Sequence, residues 1–124
     1  MIWIYVAAGG VAGTLARFWL GGVMQRFAPG GFPVGTFAVN VIASLALGFL
    51  MKLSLGSQVL TAEARAALAI GFCGAFSTFS TLVYETAMLV EDGRWLTTLI
   101  YAGGSFAAGL LAIWIGFALA RAIL

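Results

Sequence analysis

The chain has 124 residues, of which 63% are hydrophobic and 8% charged; soluble domains carry about a quarter charged residues, so a water-soluble globular fold is excluded. Six Lys/Arg against four Asp/Glu leave a net charge of +2, and there is one cysteine, Cys73, and no histidine. The charges are too sparse for a nucleic-acid surface, and neither a disulfide framework nor a Cys/His metal site can be built from this set.

At about 20 residues per crossing, the length holds a single domain of four transmembrane helices. The first span covers residues 2–27. It has no basic segment ahead of its apolar stretch and carries Arg17 inside, so it is not a cleaved signal peptide. Gly9, Gly13 and Arg17 recur every four residues, which opens a glycine groove beside a charge that is costly in lipid unless paired. A helix–helix clamp through backbone carbonyls and a functional role both fit Arg17. Pro29-Gly30-Gly31 marks a turn, and Pro33 opens a second span, residues 33–53, with Lys52 at its far interface. Thr36, Asn40 and Ser44 stack on one face of that helix.

The third span, residues 61–90, opens on Thr61 as N-cap with Glu63 in its first turn. Its middle, residues 71–81, reads Gly-Phe-Cys-Gly-Ala-Phe-Ser-Thr-Phe-Ser-Thr. Glycines and hydroxyl residues weaken a helix, and irregular backbone at membrane depth survives only against protein or a water-filled cavity. A helix break is therefore expected here, with close packing of small residues as the alternative. Thr78, Thr81 and Glu85 share one stripe, and Ser77, Ser80 and Tyr84 its neighbour. Phe72, Phe76 and Phe79 form an aromatic row: either core packing, or ring edges whose positive quadrupole faces an anion. Glu85 precedes Glu91 by about 9 Å of helix, so it reaches an interface, borders a vestibule or handles protons.

Glu91-Asp92-Gly93-Arg94 is an exposed turn, and Trp95 anchors a fourth span, residues 95–121. Thr98, Tyr101 and Ser105 form a third polar stripe, while Gly104, Ala108, Gly109 and Gly116 make a packing face. Cys73 is a small core residue. Both termini fall on one side, with Lys52, Arg65 and Arg121, against Arg26 and Arg94 on the other. A bias of one positive charge hardly orients a chain, so insertion in both directions and an antiparallel dimer are expected. Polar stripes on three helices suggest a conduit whose neutral donors replace part of the water shell of a small anion. Alternatively, the hydroxyls bond back to their own helices and Asn40 joins two helices.

Gly9-x3-Gly13-x3-Arg17, Gly35-Thr36-x3-Asn40, and Gly71-Phe-Cys-Gly74-Ala-Phe-Ser77-Thr-Phe79-Ser-Thr81 followed by Glu85 resemble the CrcB/Fluc fluoride channel family. The likeness covers nearly the whole chain. It implies an all-α protein of the inner (plasma) membrane, surrounded by lipid: an antiparallel dual-topology homodimer with two pores. The implied activity is passive fluoride export that protects against fluoride toxicity, with no enzymatic step, and a structural sodium ion is implied at the dimer centre. By motif, the resemblance makes Asn40 the pore asparagine and Phe79 the first pore phenylalanine. Ser80, Thr81, Tyr101 and Ser105 match the polar track, Arg17 and Glu85 the charged positions, and the backbone carbonyls of Gly74 and Ser77 the sodium ligands.

One departure stands out. The family commonly reads Thr-Phe-Ser-Thr-Phe, whereas this chain reads Thr78-Phe79-Ser80-Thr81-Leu82, with leucine at the second pore phenylalanine. Either an aliphatic wall suffices, a nearby ring such as Phe76 compensates, or the pore conducts differently. Two other functions remain. A proton-coupled small multidrug exporter would want a carboxylate in the first helix, where this chain has Arg17; a structural membrane subunit would use its stripes to bind neighbouring helices.

Overall fold

The computed structural model describes residues 1–124, the side chain of Pro29 excepted. Four helices are long and apolar enough to cross a membrane: α1 (Ile2–Gln25), α2 (Val34–Gly56), α3 (Ala62–Glu91) and α4 (Trp95–Ile123). No strand occurs among the described residues, and the chain is an all-helical, multi-pass membrane protein. Short connections make successive helices alternate in direction, so both termini emerge on the same side.

The ends follow local chemistry. Pro33 stands at the N-cap of α2 instead of inside the helix, and α2 runs on to Gly56, where Ser57 turns extended at φ −159° and ψ 171°. Gly30 and Gly31 adopt φ of 58° and 80° between α1 and α2, a left-handed turn that side chains with a Cβ resist. Thr61 caps α3, its Oγ1 accepting the Ala64 N–H at 3.1 Å.

Two glycine contacts assemble the bundle. On one side α1 lies against the first half of α3, and on the other α2 lies along α4. A Cβ at Gly9 would meet the backbone of Ala67, one at Gly13 that of Phe72, and one at Gly71 that of Val6. Likewise Gly48 abuts Ile113, and Gly116 abuts Leu45 and Phe49. Lipid tails compete equally for apolar side chains, so helices in a bilayer gain from close backbone approach instead of from hydrophobic burial. Of the expected fourth-span face, Gly109 and Gly116 turn to α2, whereas Gly104 has open space over it. A small core of Val39, Ala43 and Phe76 sits between these contacts, with Phe72 packed on it. The Phe72 and Phe76 rings stack at 5.5 Å, so two members of the aromatic row are core residues, and Cys73 is buried beside them.

The third helix is broken. A π-helical stretch, Ala66–Cys73, gives way to one α-turn at Gly74–Phe76. Ser77 is then extended (φ −82°, ψ 161°), as is Thr78 (φ −151°, ψ 115°), before helix resumes at Phe79–Glu91. The hydroxyl-rich stretch predicts the break. The π-helical stretch has no counterpart in residue type or spacing.

Gly48→Ala tests the backbone contact. The added Cβ would lie 2.6 Å from the carbonyl oxygen and 3.0 Å from the Cα of Ile113. Neither backbone atom yields easily, so the substitution should destabilise by about 1–3 kcal/mol and lower the melting midpoint in detergent. Gly22→Ala, with nothing within 4 Å, should leave the midpoint unchanged; equal midpoints for the two variants would refute the close-contact account.

Candidate functional site

In hydrocarbon each unpaired peptide N–H or C=O costs several kcal/mol, and a break frees carbonyls at the end of one half-helix and N–H groups at the start of the next. Their partners here come from three directions. The side-chain amide of Asn40 on α2 grips both sides of Thr78. Its Oδ1 accepts the Thr78 N–H at 2.7 Å, and its Nδ2 donates to the Thr78 carbonyl at 3.1 Å. From α1, Arg17 Nε donates to the Ala75 carbonyl at 2.9 Å, the clamp geometry expected as one option for that residue. Within α3, Thr78 Oγ1 accepts the Thr81 N–H at 3.3 Å and donates to Thr81 Oγ1 at 3.0 Å. Ser77 donates back to the Cys73 carbonyl at 3.0 Å.

Grooves open on both sides of the break. The first, about 340 Å³, faces α4 and is lined by Asn40, Ser77, Thr78, Phe79, Leu82 and Ser105, with Phe106 beyond. Phe79 is 78% exposed. Ser105 is buried, and its hydroxyl has no hydrogen-bond partner among the described residues. A second groove, about 300 Å³, faces α1 and holds Arg17, Gln25, Thr36, Thr81 and Glu85; Thr78 lines it too. A third of about 280 Å³ shares Gln25 and Glu85 with the second and adds Asp92 and Arg94. Thr78 is therefore the partition between the first two grooves, and Glu85 borders the next two. Gln25 repeats the Asn40 device: its Oε1 accepts the Gly35 N–H at 2.9 Å and its Nε2 donates to the Phe32 carbonyl at 3.0 Å.

The expected pathway residues do not form one line. Asn40, Phe79, Leu82 and Ser105 meet around the first groove, whereas Thr81 lies on the second with Arg17 and Glu85. Tyr101 is fully buried and donates to Glu85 Oε1 at 2.7 Å, with Phe32 edge-on to its ring at 5.5 Å. Ser80 is exposed and lines none of the three grooves. Gly74 is exposed, with open space where a Cβ would stand. Several stripe hydroxyls bond back to their own helices: Ser44 to the Asn40 carbonyl at 2.8 Å and Thr98 to the Arg94 carbonyl at 2.8 Å. Phe76, the ring considered as a stand-in for the aromatic missing at Leu82, is buried in the core and stacked on Phe72 and does not line the first groove. Phe106 also lines the first groove although it lies on no polar stripe, because helical spacing sets it on a different face from its neighbour Ser105 and only the packing of α4 beside the break brings both to one groove.

These features define a multi-pass membrane protein built around a broken helix, with polar grooves on both sides of the break. The comparisons agree with that class. Residues 4–117 match the family model described as CrcB-like protein, Camphor Resistance (CrcB). The chain is 42% identical over 120 residues to a protein of Nitratidesulfovibrio vulgaris named fluoride-specific ion channel FluC, covering 97% of each. It is 45% identical over 118 residues to a protein of that name from Chlorobaculum tepidum, covering 95% of this chain and 93% of the relative. A Moorella thermoacetica protein named fluoride-specific ion channel FluC 2 is 44% identical over 117 residues, 94% of each. The chain belongs to the CrcB family.

The bonding predicts opposite effects of two deletions. Asn40→Ala strands the Thr78 N–H and removes one of two bonds to its N-cap carbonyl, and should destabilise by about 2 kcal/mol, whereas Ser105→Ala removes a buried hydroxyl without a partner and should be neutral or stabilising by about 1 kcal/mol. Thermal melts in detergent should rank Ser105→Ala at or above the native chain and Asn40→Ala below it. The reverse order would show that the amide clamp does not hold the break.

Proposed function

We propose that this chain is a fluoride-selective channel of the inner membrane, which lets fluoride leave the cell passively and so protects against its toxicity. The observation that carries this is the first groove: an unpartnered buried hydroxyl, an amide and an exposed ring converge beside a helix break. The family and the names of the relatives point to the same ion.

The chemistry follows from the donors. Fluoride is small and strongly hydrated, so it enters a narrow dry path only if close donors replace its water at each point. After gripping Thr78, the Asn40 amide retains a second N–H. Ser105 offers an O–H committed to nothing else, and Phe79 offers the positive edge of its ring. The N–H groups of Phe79 and Ser80, in the first turn after the break, lack intrahelical acceptors and add positive potential. Thr81 and Glu85, the carboxylate held from behind by the buried Tyr101 hydroxyl, extend the polar lining toward the mouth near Asp92 and Arg94. Leu82 serves as aliphatic wall. A larger anion such as chloride would lose contact with part of this set. No step of this process makes or breaks a covalent bond, so the protein acts as a channel and not as an enzyme.

The assembly in this proposal is an antiparallel homodimer embedded in lipid, consistent with the near balance of positive charge on the two sides. A structural sodium ion belongs to the same proposal. Among the described residues no cluster of three or more Asp, Glu, His or Cys could hold a metal, so a cation would depend on backbone oxygens. The carbonyls of Gly74 and Ser77 would fit: both lie at the break, and the Thr78 N–H that would meet the Gly74 carbonyl in a continuous helix is taken by Asn40. Hard oxygen donors of this type suit sodium, which when bound would supply a fixed positive charge between two copies.

The back-bonded hydroxyls of Ser44, Ser77 and Thr98 favour a second reading, a structural subunit whose stripes only brace helices. Purified protein in liposomes separates the two. Potential-driven efflux of fluoride, with chloride excluded, is the expected result, and absence of any ion flux would leave the structural reading. Proton movement stimulated by drugs would instead mark an exporter. Ser105→Ala should lower fluoride flux by about tenfold or more, the equivalent of one lost hydrogen bond to an ion, while leaving the fold intact; unchanged flux would remove Ser105 from the path.

A further inference from the structure

The first groove contains two free aromatic rings, and they come from different helices. Phe79 stands on α3 just after the break, and Phe106 stands on α4 next to Ser105, the one buried hydroxyl with no partner among the described residues. Both rings line the groove and neither is packed away: Phe79 is 78% exposed and Phe106 75%. Leu82 lines the same groove as an aliphatic wall. The other rings of the aromatic row are committed elsewhere, Phe76 to the core and Phe72 to stacking upon it.

We propose that Phe106 is a selectivity residue of the groove: it supplies from α4 a second ring edge to the permeating anion, opposite Phe79, where Leu82 offers none. The inference rests on the fluoride reading above. Its physical basis is the sign of the ring edge. The hydrogens around a benzene ring carry the positive part of its quadrupole, so an edge stabilises an anion without offering a proton that could be lost. One ring beside an ion leaves the far side to an alkyl group, which gives the ion nothing in exchange for water. Two rings from different helices, lining one groove with Asn40 and Ser105, would offer the ion positive edges together with N–H and O–H donors. Because Phe106 and Ser105 are consecutive on one helix, α4 delivers a hydroxyl and a ring to the same groove.

The test compares flux from liposomes for the native chain, Phe106→Leu, and the double variant Phe106→Leu with Leu82→Phe. Phe106→Leu should elute as native protein from a sizing column and carry fluoride about tenfold more slowly, the scale of a lost aromatic contact. Restoring a ring at position 82 in the double variant should recover most of the flux. A second probe keeps the shape and changes only the electrostatics: pentafluorophenylalanine at position 106, whose edge is negative, should slow fluoride as leucine does. That probe decides the matter if Phe106→Leu fails to fold. Native-like flux in both Phe106→Leu and the pentafluoro protein, in liposomes where the native chain conducts fluoride, overturns the assignment of Phe106 alone. A native chain that conducts no fluoride overturns the channel reading and this inference together.

Discussion

A peptide group in a bilayer has no solvent to turn to, and the rest of this structure is arranged around that fact. The third helix stops at Ser77 and Thr78 in the middle of an apolar chain, and the cost of the interruption falls on Thr78, whose N–H has no helical acceptor and whose carbonyl opens the second half-helix as its N-cap. One side chain answers both. The Asn40 amide is the only neutral group type with a donor and an acceptor spaced to match an extended peptide, and it meets Thr78 as a neighbouring strand would. Arg17 answers the Ala75 carbonyl from the other side. A charge and an amide, each expensive in lipid alone, thus become the partners that make a gap in a helix tolerable.

The gap can be reached by those partners because glycines bring the helices close. Without the backbone contacts of Gly9 and Gly13 with α3, α1 would stand farther off and Arg17 could not span to Ala75. Without those of Gly48 and Gly116, α4 would drift from α2, and the groove that holds Ser105 against the break would widen. Grooves on either side of Thr78 follow from the same geometry: where the helix is extended its side chains no longer fill both flanks. A shared residue with polar space on both sides is what an ion path through a thin barrier requires.

Among the polar groups, commitment matters more than number. Ser44, Ser77 and Thr98 spend their hydroxyls on carbonyls one turn back, and Tyr101 spends its own on Glu85. Ser105 is the exception, buried and without a partner, in the same groove as the exposed Phe79 ring. An unsatisfied buried donor is a cost that folding alone does not reward, and it is on this hydroxyl that the proposed path for the ion turns.

The sequence by itself determined the membrane class, four helices, the position of the break and the family, because hydropathy, glycine spacing and the hydroxyl-rich motif are local and need no partner to be read. It also placed Asn40, Phe79 and Ser105 among the residues of interest. Only the tertiary structure decided which of them meet. Helical periodicity puts Tyr101 and Ser105 on one stripe, yet α3 is interrupted, so one of these side chains faces Glu85 and the other the groove at the break. Phe76 looked available and is stacked in the core, whereas Phe106, on no polar stripe, lines the groove. Each outcome depends on how far apart backbones sit and where a helix axis is offset. Those distances are set by contacts between residues remote in the chain.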